Sequence, residues 1–169
     1  MDTLTLETRR KIYQIILKHP GIHLREIQRK LDMATGMLTY HLGVLEETGF
    51  IRSETKEGKK CYFPYTFPYS DSRIILLLRE KIARSIVLFL IERPHTFSEL
   101  VKKTGRSKSV VSTSLSRLRD GGVVKISTQN DTNYYELSDP DKIKKMFITY
   151  KESFYDDAVD RFVELWLEI

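Results

Sequence analysis

Apolar residues near the start of the chain recur every three or four positions, which is the spacing of an amphipathic helix. The pattern predicts one helix over residues 6–19, a second over 23–31, and a third that Thr35 caps and that runs to about residue 47. Gly49 suits the left-handed residue that often follows a helix. The residues expected to face inward are Ile12, Tyr13, Ile15, Ile16, Leu24, Ile27, Leu31, Leu38, Leu42 and Leu45.

Behind the third helix the pattern changes to two short strands around a polar turn. Residues 50–55 and 60–63 have strand character, and the segment 56–59 between them predicts the turn of a hairpin. Three helices followed by a hairpin predict a winged helix-turn-helix module, in which the hairpin is the wing.

The same pattern returns at a constant offset of 73 positions. This shift aligns Glu26-Ile27 with Glu99-Leu100, Leu38 with Val111, Leu42 with Leu115, Leu45 with Leu118, Gly49 with Gly122 and Tyr62 with Tyr135. Agreement at so many structurally meaningful positions indicates one unit that occurs twice. The second copy predicts a long helix over 72–92, a short one over 98–104, a third over 107–119, and strands at 123–128 and 133–137.

The last part of the chain predicts one more helix, which Asp139-Pro140 opens. Its apolar positions are Ile143, Phe147, Tyr150, Phe154, Ala158, Phe162, Leu165 and Ile169. Such a long apolar seam needs a partner. We therefore expect this helix and the helix over 72–92 to be buried across the two-fold axis of a homodimer.

These elements define the expected fold class, which is mainly α with small β wings. The expected domains are an N-terminal winged helix at 1–66, a second winged helix at 67–138, and a C-terminal helix at 139–169 that serves dimerisation.

The net charge of +5 is unevenly distributed along the chain. Residues 1–64 carry 11 basic and 8 acidic side chains, and residues 65–138 carry 12 and 7. Residues 139–169 carry 5 and 8, so the first two thirds are basic and the last part is acidic. A polyanion is the natural partner for the basic part, although ordinary solvated lysines explain some of these charges equally well.

The third helix of each unit is the element that a winged helix places in the major groove of DNA. Lys108 and Arg117 are the best candidates for base or phosphate contacts, and Gly36 lets the backbone approach a phosphate. The expected contact residues are Thr35, Gly36, Met37, Thr39, Tyr40 and His41 in the first unit, and Ser107, Lys108, Ser109, Ser112, Thr113, Ser116 and Arg117 in the second. The alternative is that the hydroxyls only cap and solvate the helices, and that Tyr40 or His41 packs beneath its helix.

The wings differ in charge. Around its turn the first hairpin carries Arg52, Lys56, Lys59 and Lys60, and these cations can follow the phosphate backbone or the minor groove. In the second hairpin Asn130 and Asp131 replace the lysines, so a weaker DNA contact, or a protein contact, is expected there.

The run from Leu38 to Ile51, LTYHLGVLEETGFI, resembles the recognition-helix signature of ArsR- and MarR-like winged-helix regulators. The tandem arrangement is similar to that of archaeal two-module regulators. The resemblance covers residues 7–64, with an echo in 79–137, and it implies that Thr39, Tyr40, Ser112 and Thr113 face double-stranded DNA. The paired cysteines of the metal-sensing members are missing, which argues against metal sensing.

Catalysis is not expected. The sequence shows no nucleophile with a base, no paired catalytic carboxylates and no phosphate loop. The four histidines lack the spacing of a metal site, and the acidic group at Asp156, Asp157 and Asp160 is more simply a solvated face. We therefore expect no metal and no cofactor.

A second alternative is a protein-interaction scaffold, because winged helices also dock in transcription and RNA-processing assemblies. A docking module does not need cations where DNA binding requires them, such as Lys108 and residues 56–60. The sequence therefore favours a regulator that binds specific DNA sequences as a dimer, over a scaffold or a purely RNA-directed role.

The N-terminal segment lacks the basic start and apolar core of a secretory signal, so we expect a cytoplasmic protein. Charged residues interrupt the most apolar stretch, 74–91, so no membrane contact is expected. The single cysteine, Cys61, excludes an internal disulfide and a multi-thiolate metal site, and it leaves a redox role open.

Overall fold

A computed structural model of the protein describes the backbone of residues 3–168 and the side chains of residues 5–168. The chain divides into two compact units, Met1–Ser72 and Arg73–Ile169. The fold is mainly helical with small antiparallel sheets as wings, which confirms the fold class expected from the sequence. Within residues 3–168 no helix is both long enough and apolar enough to cross a membrane.

The first unit is a winged helix with a three-stranded sheet. Its elements are α1 (Thr3–Lys18), β1 (Ile22–His23), α2 (Leu24–Leu31), α3 (Thr35–Glu47), β2 (Ile51–Lys56) and β3 (Lys59–Pro64). The hairpin β2–β3 turns at Glu57-Gly58, where both residues have positive φ, and β1 pairs with the other side of β3. The sequence does not predict β1, because two residues are too few to show a period.

The core of the first unit lies between its three helices and the sheet. Its buried residues are Ile12, Ile16, Ile22, Ile27, Leu38, Leu42, Leu45, Ile51 and Tyr62. Gly49 has a φ of +78° and follows α3 as predicted. The predicted cap is wrong, because Thr35 is the first residue of α3 and Ala34 holds the N-cap position. The Thr35 hydroxyl instead accepts a hydrogen bond of 2.9 Å from Gln28 Nε2 and so connects α2 to α3.

The second unit repeats this architecture. The next elements along the chain are α4 (Tyr69–Leu78), α5 (Lys81–Glu92), α6 (Phe97–Thr104), α7 (Lys108–Asp120), β4 (Val124–Gln129) and β5 (Thr132–Leu137). The repeat extends to the pairing, since the bridge between His95 and Tyr135 lies 73 positions beyond the β1–β3 pair Ile22 and Tyr62. Ser107 caps α7 by accepting a hydrogen bond from the Val110 amide.

The predicted long helix over 72–92 is two helices, α4 and α5. The break falls at Arg79 and Glu80, and Glu80 is the N-cap of α5. The apolar residues of both helices are buried within the chain, among them Ile74, Ile75, Leu76, Leu77, Leu78, Ala83, Ile86, Val87, Leu88 and Leu90. The expectation that this segment forms a dimer seam is therefore wrong, because its apolar residues already have partners in the chain.

The predicted single helix from Pro140 to the chain end is three helices, α8 (Pro140–Thr149), α9 (Lys151–Phe154) and α10 (Asp157–Glu168). Tyr155 separates α9 from α10 with a φ of +48°, in the left-handed region that interrupts a helix. Ile143, Phe147 and Phe154 are buried, whereas Leu165 is 57% exposed. Ile169, which the predicted seam includes, lies outside the described residues.

A buried ion pair connects the α4–α5 break to the C-terminal helices. Arg84 Nε donates to Asp156 Oδ2 at 2.7 Å, and Arg84 Nη1 donates to the carbonyls of Leu78 and Arg79. The side chain of Arg84 is 7% exposed and that of Asp156 is 16% exposed. Burial acts to raise the pKa of Asp156, but the hydrogen bonds from Arg84 and from the Ala158 amide outweigh it and hold this pKa below its ordinary value.

We expect Asp156→Ala to lower the free energy of unfolding by about 3 kcal/mol at pH 7, because it leaves the buried Arg84 guanidinium without its counter-charge. Since the folded pKa of Asp156 is lowered, the pair stabilises the wild type above the ordinary carboxyl pKa of 3.8, and this contribution is lost as the pH falls through the lowered value. Urea unfolding of both proteins from pH 7 to pH 3 measures the difference.

The control is Asp157→Ala, which removes an exposed carboxylate from the next residue. It should change the free energy of unfolding by less than about 0.5 kcal/mol. Equal effects of the two substitutions at pH 7 would show that the Arg84–Asp156 pair does not stabilise the fold.

Candidate nucleic-acid interface

The outer side of α3 is exposed because its inner side is fully used by the core. Leu38, Leu42 and Leu45 are buried. Thr35, Gly36, Met37, Thr39 and Tyr40 are all exposed. Nothing lies within 4 Å of the position that a Cβ of Gly36 would occupy, so the backbone of the first turn is open to a ligand.

His41 packs beneath the helix, which was the alternative that the sequence left open. It is 6% exposed, and its ring makes an edge contact with Tyr40 at a centroid distance of 5.3 Å. Burial, with the nearby Arg9 charge adding to it, lowers the pKa of His41 and favours the neutral ring. The expected DNA contact of His41 is therefore not compatible with its position in the structure.

A cleft with a basic lining runs beside α3. Its volume is about 620 Å³. The lining comes from α2, α3 and the wing and consists of His23, Leu24, Arg25, Glu26, Arg29, Thr39, Lys59, Lys60 and Tyr62. Four cations and one carboxylate therefore surround a hollow next to the exposed Thr39.

A smaller hollow lies beside α7 in the second unit, with a volume of about 420 Å³. The second hollow is lined by Ser116, Arg119, Asp120, Val124, Lys125 and Ile126. This second hollow has two cations and one carboxylate, whereas the cleft of the first unit has four cations and one carboxylate, so the first is the better candidate for holding a phosphate backbone.

Arg25 and Arg29 are functional candidates that the sequence reasoning misses. They lie four residues apart on the exposed side of α2, which is the only sequence signal for them. Charge alone does not reveal that α2 borders the same cleft as Lys59 and Lys60.

Arg52 lies inside the wing rather than on its surface. Its guanidinium pairs with Glu54, donates to the Phe67 carbonyl at 2.9 Å and to Ser72 Oγ at 2.8 Å, and lies 3.8 Å from the centroid of the Tyr69 ring. With 6% exposure, Arg52 is placed to hold the wing against the segment that follows it, and its expected DNA contact does not fit this position. Lys59 and Lys60 are both exposed on this hairpin. Lys60 pairs with Glu46 at 3.3 Å.

The outer side of α7 matches that of α3. Val111, Leu115 and Leu118 are buried. The predicted contact residues Ser107, Lys108, Ser109, Ser112, Thr113 and Ser116 are all exposed. The structure therefore gathers these six residues on one accessible surface.

Arg117 is the exception on α7. Its two terminal nitrogens donate to the two carboxylate oxygens of Glu80, each at 2.7 Å, and both side chains are 35% exposed. This bidentate pair connects α7 to the N-cap of α5. Lys108 is thus the better of the two cations that the sequence selects, because Arg117 would have to leave Glu80 to reach a phosphate.

The second wing is closed by Asn130 and Asp131, both with positive φ. Lys125 on β4 pairs with Glu136 on β5 at 3.3 Å. The weaker DNA contact expected for this wing stays a prediction. Among residues 3–168, no group of three His, Cys, Asp or Glu side chains is placed to hold a metal ion.

Two family models match the chain in succession. Residues 6–75 match a model described as an N-terminal HTH domain, and residues 80–125 match the model of the bacterial regulatory protein, arsR family. The matches do not overlap, and each includes one of the helices α3 and α7.

Among curated proteins, the chain is similar to an uncharacterized HTH-type transcriptional regulator of Methanocaldococcus jannaschii, with 29% identity over 133 residues. The alignment covers 79% of this chain and 34% of the relative. The chain thus spans about a third of the length of the curated relative it matches.

Two solved structures of bacterial proteins are also similar to it. Reduced HlyU from Vibrio cholerae has 21% identity and a TM-score of 0.43, with 48% of this chain and 88% of that chain covered. The transcriptional repressor BigR from Xylella fastidiosa has 19% identity and a TM-score of 0.40, with 45% and 81% covered.

The first family match spans the first winged helix, and the second spans α5, α6 and α7 of the second winged helix and ends at the start of β4. The chain is therefore a tandem helix-turn-helix protein, in which an N-terminal HTH domain is followed by an HTH domain of the ArsR type.

Proposed function

We propose that this protein is a cytoplasmic transcriptional regulator that binds specific sequences of double-stranded DNA as a homodimer. The observation that carries the proposal is the exposed N-terminal side of α3 and of α7, each on a helix whose other side is buried. The ArsR-type match and the likeness to an HTH-type transcriptional regulator support it.

The first unit fits a duplex in two ways. The major groove is about 12 Å wide and accepts a helix such as α3, whose outer side is exposed. The cleft beside it then receives the phosphate backbone between Arg25 and Arg29 on one side and Lys59 on the other. Because phosphate contacts set position and base contacts set sequence, the cleft positions α3 and α3 reads the bases.

The second unit offers α7 in the same way, with Lys108 at its first position. The residues that we propose for DNA contact are Thr35, Gly36, Met37, Thr39, Tyr40, Lys56, Lys59 and Lys60, and Ser107, Lys108, Ser109, Ser112, Thr113 and Ser116. Arg25 and Arg29 join them, and His41, Arg52 and Arg117 are removed because the fold already uses them.

Dimerisation is proposed through α10. Leu165 is exposed on this helix, and the half-buried ring of Phe162 lies three positions before it, on the same side of the helix. The segment 139–169 keeps its proposed role in pairing, with the interface reduced to this outer side because Val159 and Val163 are buried.

Arg29→Ala and Lys59→Ala should each weaken binding to duplex DNA, because each removes a cation from the cleft. Each should also reduce the slope of log affinity against log salt concentration by about 0.9 per lost phosphate contact. Fluorescence anisotropy with a labelled duplex between 50 and 200 mM salt measures both quantities. Lys18→Ala, which removes an exposed cation from α1, is the control and should leave the slope unchanged. Wild-type slopes in both cleft variants would remove the cleft from the proposed interface.

Lys108→Ala and Arg117→Ala should separate binding from stability. We expect the first to weaken DNA binding with an unchanged free energy of unfolding, because Lys108 is exposed. The second should lower the free energy of unfolding by up to about 1 kcal/mol, because it breaks the half-exposed pair with Glu80. Anisotropy and urea unfolding of both variants give the comparison, and an affinity that Lys108→Ala leaves at the wild-type value would contradict a contact by α7.

Leu165→Glu should convert the dimer to a monomer, because it places a charge in the proposed interface. Leu167→Glu is the matched control, since Leu167 is 67% exposed and two positions further along α10, on the other side of the helix. Sedimentation velocity measures the mass of both. A variant Leu165→Glu that sediments as a dimer, or a monomeric wild type, would refute the proposed interface.

A further inference from the structure

The two recognition helices share an exposed apolar side chain at the same position. Met37 is the third residue of α3 and Val110 is the third residue of α7, and they are 73 positions apart, which is the offset of the repeat. Met37 is 56% exposed and Val110 is 38% exposed. Single exposed apolar residues are common on protein surfaces, but recurrence at one position of two copies points to a shared use.

The core does not explain these two side chains. The next residue of each helix, Leu38 or Val111, is fully buried and already fills the inner side. On α3 the exposed apolar surface continues to Tyr40, which is 62% exposed and three positions beyond Met37. The N-terminal half of α3 therefore presents apolar groups to the space in which we place DNA.

Several of the hydroxyls around them take part in hydrogen bonds within the protein. Thr35 Oγ1 accepts from Gln28 Nε2, and Thr39 Oγ1 donates to the Thr35 carbonyl at 2.8 Å. In the second unit Thr113 Oγ1 donates to the Ser109 carbonyl at 2.9 Å. Because α3 also contains no lysine or arginine, its outward groups are chiefly a thioether, methyl groups and an aromatic ring.

In the major groove, the apolar group on a base edge is the C5-methyl of thymine, and the other edges present hydrogen-bond donors and acceptors. We propose that Met37 and Val110 each contact a thymine C5-methyl, so that each unit selects a T·A pair at the corresponding position of its site. The proposal rests on the proposed function and adds the base that each helix selects. Lys108, two positions before Val110, gives α7 a charged neighbour that α3 lacks.

The experiment begins with selection of bound duplexes from a random pool by the full chain. In the selected duplex each thymine is then replaced, one at a time, by deoxyuridine, which keeps the base pair and removes only the methyl group. In each half-site we expect an affinity loss of about fourfold at one thymine for each unit, which corresponds to about 0.8 kcal/mol for a buried methylene-sized group. Replacement outside the footprint should have no effect.

The variants Met37→Ala and Val110→Ala assign each thymine to its helix. Met37→Ala should abolish the sensitivity to deoxyuridine at one of the two positions and keep it at the other, and Val110→Ala should do the opposite. Met37→Leu should retain the sensitivity, because it keeps an apolar side chain of similar size. Leu167→Ala, which shortens a 67% exposed apolar side chain outside the proposed interfaces, is the control and should leave both sensitivities unchanged.

The outcomes separate this inference from the proposed function. If no duplex is enriched, the proposed function fails. If a duplex is enriched but deoxyuridine is neutral at every position, DNA binding stands and the thymine contact is refuted. A sensitivity that persists in both alanine variants would likewise refute the assignment to Met37 and Val110.

Discussion

The burial of one side of α3 and α7 is the constraint on which the rest of the structure depends. Leu38, Leu42 and Leu45 in α3 occupy the inner side and have almost no exposed surface. A helix that buries these positions has to turn the intervening residues outward, because its side chains follow a period of 3.6. The same core that stabilises each unit therefore also decides which residues are available to a partner.

Apart from the two-residue strand β1, most elements of the two winged helices can be predicted from the sequence, because each depends on a local period and on a turn or cap. The break between α4 and α5 cannot, because the apolar pattern runs on across Arg79 and Glu80. At the break, Arg84 takes the carbonyls of Leu78 and Arg79 and also reaches Asp156, 72 residues away. Such a contact leaves no periodic signal.

The sequence predicts where the candidate interface lies, but it does not predict every residue that belongs to it. The exposure of the hydroxyl residues and of Lys108 can be predicted from the helical period alone, because the apolar positions of the same helices face inward. Arg52 and Arg117 look equivalent to Lys108 in the sequence, yet the structure uses both in internal contacts. A cation carries no sign of its partner in the sequence, and so charge counts overestimate the surface available to a polyanion.

The polar contacts of the second unit form a continuous path. Arg117 on α7 binds Glu80, which lies at the break between α4 and α5. At the same break Arg84 donates to the carbonyls of Leu78 and Arg79. Arg84 also binds Asp156, just before α10. A rotation of α10 that displaces Asp156 therefore pulls on the turn to which α7 is bound. The pairing surface that we propose on α10 and the orientation of α7 are thus linked through two arginines.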